Sequence, residues 1–471
     1  MTESHLPRVL VIASDTIGER MAGSGIRYWN LARVIGQQQP VTLAAPNTVA
    51  LELPPGGMIA SYGGATEDQR GRALVELIRA HDVVIAQHLP YLYADAELLA
   101  SRFLVVDLYA PWVLEKLEYS RIDPERGEPN RKDDVAILGR LLALGDFFLC
   151  ASERQRDYWL GALTVAGRLE LEHVQSDPEL RSLIDVVPFG LPGPMPVPSG
   201  PGPRETFTGI GRDDPILLWN GGLWNWLDPL TAIRATGLLA AGDHPDARLV
   251  FMGTRSPGAQ VAEMSMVEDA RRLAEELGLL DKHVFFNEWV DYDQRHNWLL
   301  QSDLALSLHC PTVEARFSFR TRVLDNLWCG LPTVATEGDV LADLVQVEGT
   351  GITVPPGDAL AVSAAIETLL DPESAAPYRA RIATVADRYT WERVAEPLLR
   401  YCLEPVHLGE RRADHSGQRY LHDLERLYTE TAQYARELET VVAEKNRALE
   451  EQASGRRLPG QRMIRRLRRH G

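Results

Sequence analysis

Long hydrophobic runs are missing from this chain of 471 residues. The longest purely apolar stretch near the N-terminus, residues 9–13, is far shorter than the roughly 20 residues that a membrane-spanning helix needs. The sequence also lacks the charged, apolar and small-residue order of an export signal. We therefore expect a cytoplasmic protein.

Cysteine is scarce as well, with four residues at Cys150, Cys310, Cys329 and Cys402. Their wide separation fits neither a paired-cysteine metal motif nor a disulfide framework. We predict four reduced thiols, most of them buried, and no bound metal.

An excess of positive charge is missing too: 49 Lys and Arg oppose 66 Asp and Glu, for a net charge of −17. The main domains of so acidic a protein are not expected to bind nucleic acid. The end of the chain is the exception, because residues 456–471 carry seven arginines and no acid. This basic end would suit the anionic inner face of the cell membrane. A disordered solubilising end and docking on another protein are the alternatives.

With 45% hydrophobic residues, the chain has enough apolar side chains to fill the cores of two or three domains. Short apolar strands alternate with helical segments in two series, a pattern typical of parallel sheets covered by helices on both faces. The strands of the first series are residues 8–14, 41–45, 81–87, 103–107 and 147–151, and those of the second are residues 215–219, 247–252, 283–286, 304–308 and 333–336. A stretch rich in proline and glycine, residues 191–205, predicts a linker between the two series.

The predicted fold class is therefore α/β, with two Rossmann-like, doubly wound parallel-sheet domains at residues 1–190 and 206–388. Ligands of such open sheets lie at the carboxyl ends of the strands, so we expect a cleft between the domains. Residues 406–471 read as a helical tail. Apolar residues spaced alternately by four and three predict a coiled-coil seam and a homo-oligomer through residues 421–450. A helix packed on its own domain explains the spacing equally well.

Two arginines lie near the start of a predicted helix in the second domain. If Ser318 caps that helix, Arg320 and Arg322 fall in its first turns, where free N–H groups and a partial positive charge already favour an anion. Cations usually occupy the opposite end of a helix, so the pattern predicts a bound diphosphate. A surface ion pair between Arg322 and Asp325 is the alternative.

The sequence around this helix, residues 307–357, which begins SLHCPTVEARFSFRTRVLDNLWCGLPTVATEGD, resembles the donor-binding half of retaining GT-B glycosyltransferases of the large family four. The resemblance implies that Glu314 meets the donor sugar, and that Asp325 binds the ribose hydroxyls where the family usually has Glu. It also implies that backbone amides near Ser318 contact the diphosphate. Glu314 lies further from Asp325 than is usual in the family, which implies a locally longer loop.

Further segments carry the resemblance through both domains. The loop with Gly23, Gly25 and Arg27 is similar to the family's first glycine loop, and residues 187–190 (VPFG) are similar to the strand end before the linker. The loop with Asn220, Gly221 and Gly222 is similar to the loop that opens the second domain, and Trp289 and Val290 fall in the region of the nucleobase pocket. The fold of the family implies that residues 389–405 cross back to the first domain.

One departure from the family concerns phosphate charge. The family usually has an Arg and a Lys after the first strand of the second domain, where this sequence has Gly222 and the neighbourhood of residues 226–227. The donor phosphates would then be met by Arg27, Arg320, Arg322 or backbone amides, with Arg320 a catalytic candidate.

Acceptor-side candidates follow two strands of the first domain. His88 comes after the strand VVIAQ and is a candidate proton relay, and Asp107 and Tyr109 come at the end of FLVVD and are candidate acceptor contacts. Capping of the following helix is the alternative for the lone His and Asp.

Together these features predict a metal-independent retaining glycosyltransferase that needs no cofactor besides its nucleotide diphosphate sugar. The acceptor would be a carbohydrate or lipid-linked hydroxyl, in the biosynthesis of a surface polysaccharide, a glycolipid or a glycosylated natural product. A GT-B epimerase or hydrolase, and a noncatalytic nucleotide-sugar binding module, are the alternatives. A dinucleotide dehydrogenase is disfavoured because the first loop lacks a full G-x-G-x-x-G.

Overall fold

The computed structural model describes residues 6–19, 21–88, 94–122, 124–254 and 265–408, and four isolated residues near the C-terminus, Tyr428, Thr431, Val442 and Lys445. The chain divides into two compact units, residues 1–411 and 412–471. The four described residues of the second unit are helical. The basic end at residues 456–471 and most of the predicted coiled-coil seam lie outside the described residues, so the membrane and oligomer hypotheses stay predictions.

The first unit contains two parallel sheets. The strands of the first sheet are β1 Val9–Ile12, β2 Val41–Ala45, β3 Gly57–Ser61, β4 Val83–Ala86, β5 Phe103–Asp107, β6 Phe147–Cys150 and β7 Ile184–Val186. Their order in the sheet is β3-β2-β1-β4-β5-β6-β7. In register, Val9 of β1 lies between Val41 of β2 and Val83 of β4. The direction of strand addition thus reverses beside β1, and open sheets bind ligands at such a point.

The second sheet repeats this plan with six strands. They are β8 Ile216–Trp219, β9 Arg248–Phe251, β10 Val284–Phe286, β11 Leu304–Ser307, β12 Thr333–Thr336 and β13 Gly351–Val354. Their order is β10-β9-β8-β11-β12-β13, with every neighbouring pair parallel. The prediction of two doubly wound parallel sheets is confirmed.

Helices connect the strands and cover the sheets. Those of the first half are α1 Gly23–Gly36, α2 Glu67–Arg79, α3 Ala96–Ala100, α4 Trp112–Ile122, α5 Pro124–Leu144, α6 Glu153–Val165 and α7 Leu171–Ser176. Those of the second half are α8 Pro203–Thr206, α9 Pro229–Ala241, α10 Ser265–Glu276, α11 Arg295–Leu300, α12 Val313–Phe317, α13 Arg322–Trp328, α14 Val340–Glu348, α15 Ala359–Leu370, α16 Pro372–Ala386, α17 Trp391–Val394 and α18 Glu396–Leu403, with a 3₁₀ turn at Asp387–Tyr389.

Both faces of the first sheet are buried, because alternate side chains of a strand point to opposite faces. Leu10 and Ile12 of β1 enter one core, and Val9 and Val11 enter another. The core around Val9 and Val11, which we call the shared core, also takes in residues that follow the second sheet's strands. These are Val323, Leu324 and Leu327 of α13, Leu341 and Val345 of α14, Ile382 and Val385 of α16, and Trp391, Val394 and Leu398 of the last two helices.

The chain returns from the second sheet to the first through Trp391. The backbone N–H of Leu191 donates to the carbonyl of Tyr389 at 2.6 Å, and the N–H of Trp391 donates to Leu191 at 3.3 Å. The Trp391 side chain is fully buried, and α18 ends against the first sheet, where the rings of Tyr401 and Phe147 stack at 4.6 Å. The last helices therefore complete the first domain.

The structure bears on two expectations from the sequence, the free cysteines and the lack of a membrane-spanning helix. All four cysteines are described, three are buried, and none is bonded to another, which confirms the prediction of free thiols. Within the described ranges, every helix is too short or too polar to cross a bilayer.

The contact between Gly190 and Trp391 provides a test of how the chain returns to the first domain. A Cβ at Gly190 would lie 2.6 Å from the Trp391 ring and 2.8 Å from its Cα, so Gly190→Ala forces two backbones apart. We expect a loss of about 1–3 kcal/mol in the free energy of unfolding, measured by denaturant titration. Gly161→Ala in α6 is the control, because a Cβ there meets no atom within 4 Å, and it should be neutral or stabilising. Equal effects of both variants would contradict the packing described.

Candidate functional site

Two loops at the carboxyl ends of the second sheet meet at the start of α13. The side-chain amide of Asn220 donates to the carbonyl of Arg322 at 3.0 Å, and Arg322 Nη2 donates to the carbonyl of Gly222 at 3.2 Å. Between them Gly221 has a φ of +90°, a backbone conformation that favours glycine. The structure therefore brings together Asn220, Gly221, Gly222 and Arg322, which the sequence predicted for one site.

Arg322 is a cation without an anion. Its guanidinium lies 5.3 Å from the centre of the Trp219 ring, and Nη1 is buried with no hydrogen-bond partner. Burial, and then the neighbouring charge of Arg320, lower the pKa of Arg322 to about 9. No ion pair to it forms within the described part of the chain. A buried charge of this kind is favoured only when an anion pairs with it, so the site suits a negatively charged ligand.

Arg320 is partly neutralised by two buried carboxylates. Arg320 Nη2 lies 2.7 Å from Glu314 Oε2, and Arg320 Nε lies 3.8 Å from Asp339 Oδ2 without a hydrogen bond. Burial raises the pKa of Asp339, while His309 and Arg320 oppose that shift. The His309 ring lies 3.4 Å from the Asp339 carboxylate. Of the two arginines, Arg322 thus has the greater need of an anion.

Glu314 is buried and pairs with Arg320. Glu314 lies inside the short helix α12, is 1% exposed, and accepts hydrogen bonds from Ser318 and Arg320 on its two oxygens. Thr312 caps this helix, accepting from the N–H of Ala315 at 3.0 Å. Ser318 ends α12 and does not cap α13, which begins only at Arg322. In this structure the Glu314 carboxylate therefore holds Arg320, and its contact with a donor sugar stays a prediction.

Arg27 and Asp107 form a buried ion pair. Both are 0% exposed, and Arg27 pairs with Asp107 through Nε at 2.6 Å and Nη2 at 2.9 Å. The same guanidinium donates to the carbonyls of Val187 and Pro188 and lies 4.6 Å from the centre of the Tyr109 ring. The three predicted residues thus form an internal cluster that ties the end of β5 to the strand end before the linker.

The two glycines before this cluster differ in their surroundings. A Cβ at Gly25 would lie 2.8 Å from the carbonyl oxygen of Thr16, so the loop needs glycine there. A Cβ at Gly23 would meet nothing within 4 Å. Gly23 leaves open space at the start of α1.

Asp325 pairs with Arg295 and not with Arg322, so the surface pair considered from sequence does not form. Asp325 Oδ1 lies 3.1 Å from both Nε and Nη2 of Arg295, and the Asp325 side chain keeps 28% of its exposure. The Arg295 guanidinium lies between the rings of Tyr292 and Trp328, at 3.9 and 4.8 Å from their centres. A cavity of about 450 Å³ is lined by Tyr292, Arg295 and Trp328, together with Trp29, Asn30 and His296.

Trp289 and Val290 follow β10 at the carboxyl end of the second sheet. The Trp289 ring lies against Gly253, where a Cβ would approach it to 3.0 Å, and Val290 packs on the core that contains Met252 and Phe285. Gly221 follows β8, Gly253 follows β9 and Trp289 follows β10, and a Cβ at Gly253 would lie near both of the others. We call the carboxyl ends of these three strands the rim.

A second cluster of polar side chains lies in the first domain, around Trp112. The His88 ring is 6.2 Å from that of Trp112, and Lys116 lies over the same ring at 5.3 Å while pairing with Asp134 at 2.5 Å. Burial, and then Lys116, lower the pKa of His88. Trp112 Nε1 and Asp134 Oδ2 are buried without hydrogen-bond partners.

Glu115 is a residue that the sequence did not single out. It lies on α4, which packs against α12, and burial together with the Glu314 carboxylate raises its pKa to about 7. Its helix, WVLEKLEYSRI, has no local feature that distinguishes one glutamate from another. Arg295 and Asp339 were missed for the same reason, since each acquires its role through contacts distant in sequence.

No metal site accompanies these groups in the described ranges, where no three His, Cys, Asp or Glu side chains converge.

Comparison with known proteins finds a family model that matches the second domain. Residues 214–372 match the family model of glycosyl transferases group 1. No curated protein matches the chain significantly.

Solved structures match over nearly the whole first unit. Sucrose-phosphate synthase from Thermosynechococcus elongatus has a TM-score of 0.60 at 16% identity, over 83% of this chain and 97% of its own. Anabaena HepE in complex with UDP-glucose has a TM-score of 0.58 at 14% identity, over 85% and 100%. A protein described as a UDP-N-acetylglucosamine 2-epimerase from Listeria monocytogenes has a TM-score of 0.51 at 13% identity, over 87% and 100%.

The two parallel sheets therefore form a GT-B fold. Within that fold, residues 214–372 of the second domain carry the match to the glycosyl transferases group 1 model. The expected resemblance is confirmed.

The raised pKa of Glu115 makes stability depend on pH. Because the pKa in the folded protein, about 7, exceeds the ordinary value of 4.5, the contribution of Glu115 is fully present below about pH 4.5 and is lost as pH rises through 7. Glu115→Gln should therefore be more stable than wild type by about 1–3 kcal/mol at pH 8 and should match it at pH 4.5 in chemical unfolding. Glu275→Gln, at an exposed helical position, is the control. A gain for Glu115→Gln that does not change with pH would contradict this account.

Proposed function

We propose that this protein is a retaining glycosyltransferase that moves a sugar from a nucleoside diphosphate sugar to an acceptor hydroxyl. The observation that carries the proposal is Arg322, whose unpaired guanidinium lies at the carboxyl end of β8 within the matched region. An anion at this place would be bound by a charge that the protein itself leaves without a partner.

The diphosphate would lie between the loop at Asn220–Gly222 and the two arginines. Arg322 Nη1 and Arg320 Nε are both buried and unbonded, so two charged donors are available. Helix α13 has only 7 residues, so its dipole adds little to the field of two guanidinium groups. The arginines thus take the place of the Arg and Lys that the family usually has after the first strand of this domain.

The nucleoside would be held by Asp325 and the adjoining rim. Arg295 contacts one oxygen of the Asp325 carboxylate, and the remaining exposed part of that side chain suits ribose hydroxyls. Trp289 and Val290 lie on the same rim and would border the nucleobase. Because HepE was solved with UDP-glucose, UDP-sugars are the first donors to test.

Transfer would break the bond between the sugar's anomeric carbon and the diphosphate oxygen. The acceptor oxygen attacks the same face of that carbon, and its proton passes to the departing phosphate oxygen, so no protein nucleophile is needed. Arg320 and Arg322 stabilise the negative charge that develops on the leaving group, and electrostatic stabilisation of this kind needs no metal. His88 and the group around Trp112 face the acceptor side.

The proposed pathway is the synthesis of a surface polysaccharide, a glycolipid or a glycosylated natural product, in the cytoplasm or at the inner membrane face. Seven arginines in residues 456–471 support the membrane location.

Deletion of residues 456–471 should abolish sedimentation with anionic liposomes and leave nucleotide binding unchanged. Liposome binding that survives the deletion would exclude this role for the basic end.

The donor site is tested by calorimetry with UDP, GDP, dTDP and ADP. We expect saturable binding of one nucleotide, weakened about tenfold to a hundredfold by Arg322→Met and about tenfold by Asp325→Ala, because each removes a bond to a charged group. Arg79→Met serves as the matched control, since Arg79 forms an exposed pair with Glu76 far from the rim.

Failure to bind any of the four nucleotides would refute the proposed donor site, and loss in the control variant alone would refute the assignment to Arg322. Sugar transfer is then separated from the epimerase and hydrolase alternatives by incubating the donor without an acceptor. A transferase should leave most of the donor intact, whereas rapid conversion would favour those alternatives.

A further inference from the structure

The first domain contacts the donor-side loops through the start of α6. Arg154 Nη1 donates to two backbone carbonyls of the second domain, that of Arg316 at 3.0 Å and that of Gly338 at 2.8 Å. Its Nη2 pairs with the carboxylate of Asp343 on α14. One guanidinium from the first domain thus joins two separate segments of the second.

Gln155, the next residue, makes a second connection. It is fully buried, and its amide nitrogen donates to the carbonyl of Tyr109 at 2.9 Å and to that of Phe317 at 2.8 Å. Its amide oxygen accepts from the N–H of Ala151 at 2.8 Å. Because all three partners are backbone groups, this contact fixes the path of the chain at Phe317 relative to the first sheet.

The carbonyls that Arg154 contacts flank the two carboxylates around Arg320. Arg316 lies just after Glu314 on α12, and Gly338 directly precedes Asp339. Glu314 and Asp339 are the carboxylates on either side of the Arg320 guanidinium. Arg154 of the first domain therefore links the two segments that hold the carboxylates around Arg320.

An ordinary surface ion pair does not explain this arrangement. Asp343 is 51% exposed, and exposed pairs of this kind contribute about 0–1 kcal/mol. An ion pair between Nη2 and Asp343 does not explain why Nη1 of Arg154 donates to two carbonyls on separate segments. A planar guanidinium with several fixed donors makes such a bridge, which a lysine ammonium does not reproduce.

We propose that Arg154, assisted by Gln155, is a positioning residue for Arg320, so that the charge of the donor site is set only when the first domain lies against it. The proposal rests on the proposed function for the role of Arg320 toward a diphosphate. By linkage, diphosphate binding and the contact of α6 with the donor-side loops then favour each other.

Hydrogen exchange in the absence of nucleotide tests the positioning by itself. Arg154→Met should speed amide exchange across residues 314–320 and 338–343 and leave the strands of the second sheet unchanged. Arg154→Lys should behave like Arg154→Met, because it keeps the charge toward Asp343 and loses the bridge. Unchanged exchange at residues 314–320, or full rescue by lysine, would overturn the proposal whether or not a nucleotide binds.

Calorimetry with UDP, or with GDP if the nucleotide panel selects guanine, tests the functional part. Arg154→Met should weaken binding about threefold to tenfold, and most of this loss should vanish when Arg320 is already Lys, since coupled residues are not additive. Combined with Asp325→Ala, the same variant should add its full effect. Additive loss with Arg320→Lys would overturn the coupling. Absence of binding in wild type would instead refute the proposed function, which this variant does not test.

Discussion

Two largely buried guanidinium groups that repel each other, Arg320 and Arg322, set the conditions that the surrounding structure meets. Charge in a protein interior is stable only with a partner, and two like charges at short range make that need greater. Arg320 satisfies it internally, through Glu314 and Asp339, each of them nearly inaccessible to solvent. Arg322 does not, and its neighbours are a tryptophan ring and backbone carbonyls.

This division separates a structural task from a binding task. The compensated arginine is held between two carboxylates, whose segments are bridged from α6. The uncompensated one carries the attraction for an anion. The glycine at position 221, with its positive φ, keeps the loop backbone close to that guanidinium and leaves no side chain over it. A phosphate group bound as proposed would meet this uncompensated charge directly.

Sequence patterns predicted the architecture because it depends on local signals. Apolar runs of four or five residues between helical segments are sufficient to identify parallel strands, and Arg320 and Arg322 were noticeable as misplaced cations. Ser318 was assigned to the wrong helix end because Thr312, a competing cap, creates the extra helix α12. The partners of Arg27 and Asp325 could not be predicted, because Arg27 meets Asp107 across 80 residues and Asp325 meets Arg295 across 30. Such pairs are decided by topology, which brings loops together only after both sheets exist.

The shared core has a consequence for recombining this protein with its relatives. Residues of α13, α14 and α16 pack in the same apolar cluster as β1 and β2, and Trp391 fills the space over Gly190. A chimera that exchanged everything after the linker would remove part of the first domain's own interior. A viable exchange of donor specificity would need two junctions, one within residues 192–202 and one just before Trp391, and would keep the native α13, α14 and α16 side chains that face the shared core. The unit of exchange is thus smaller than the second domain and interrupted by positions that belong to the first.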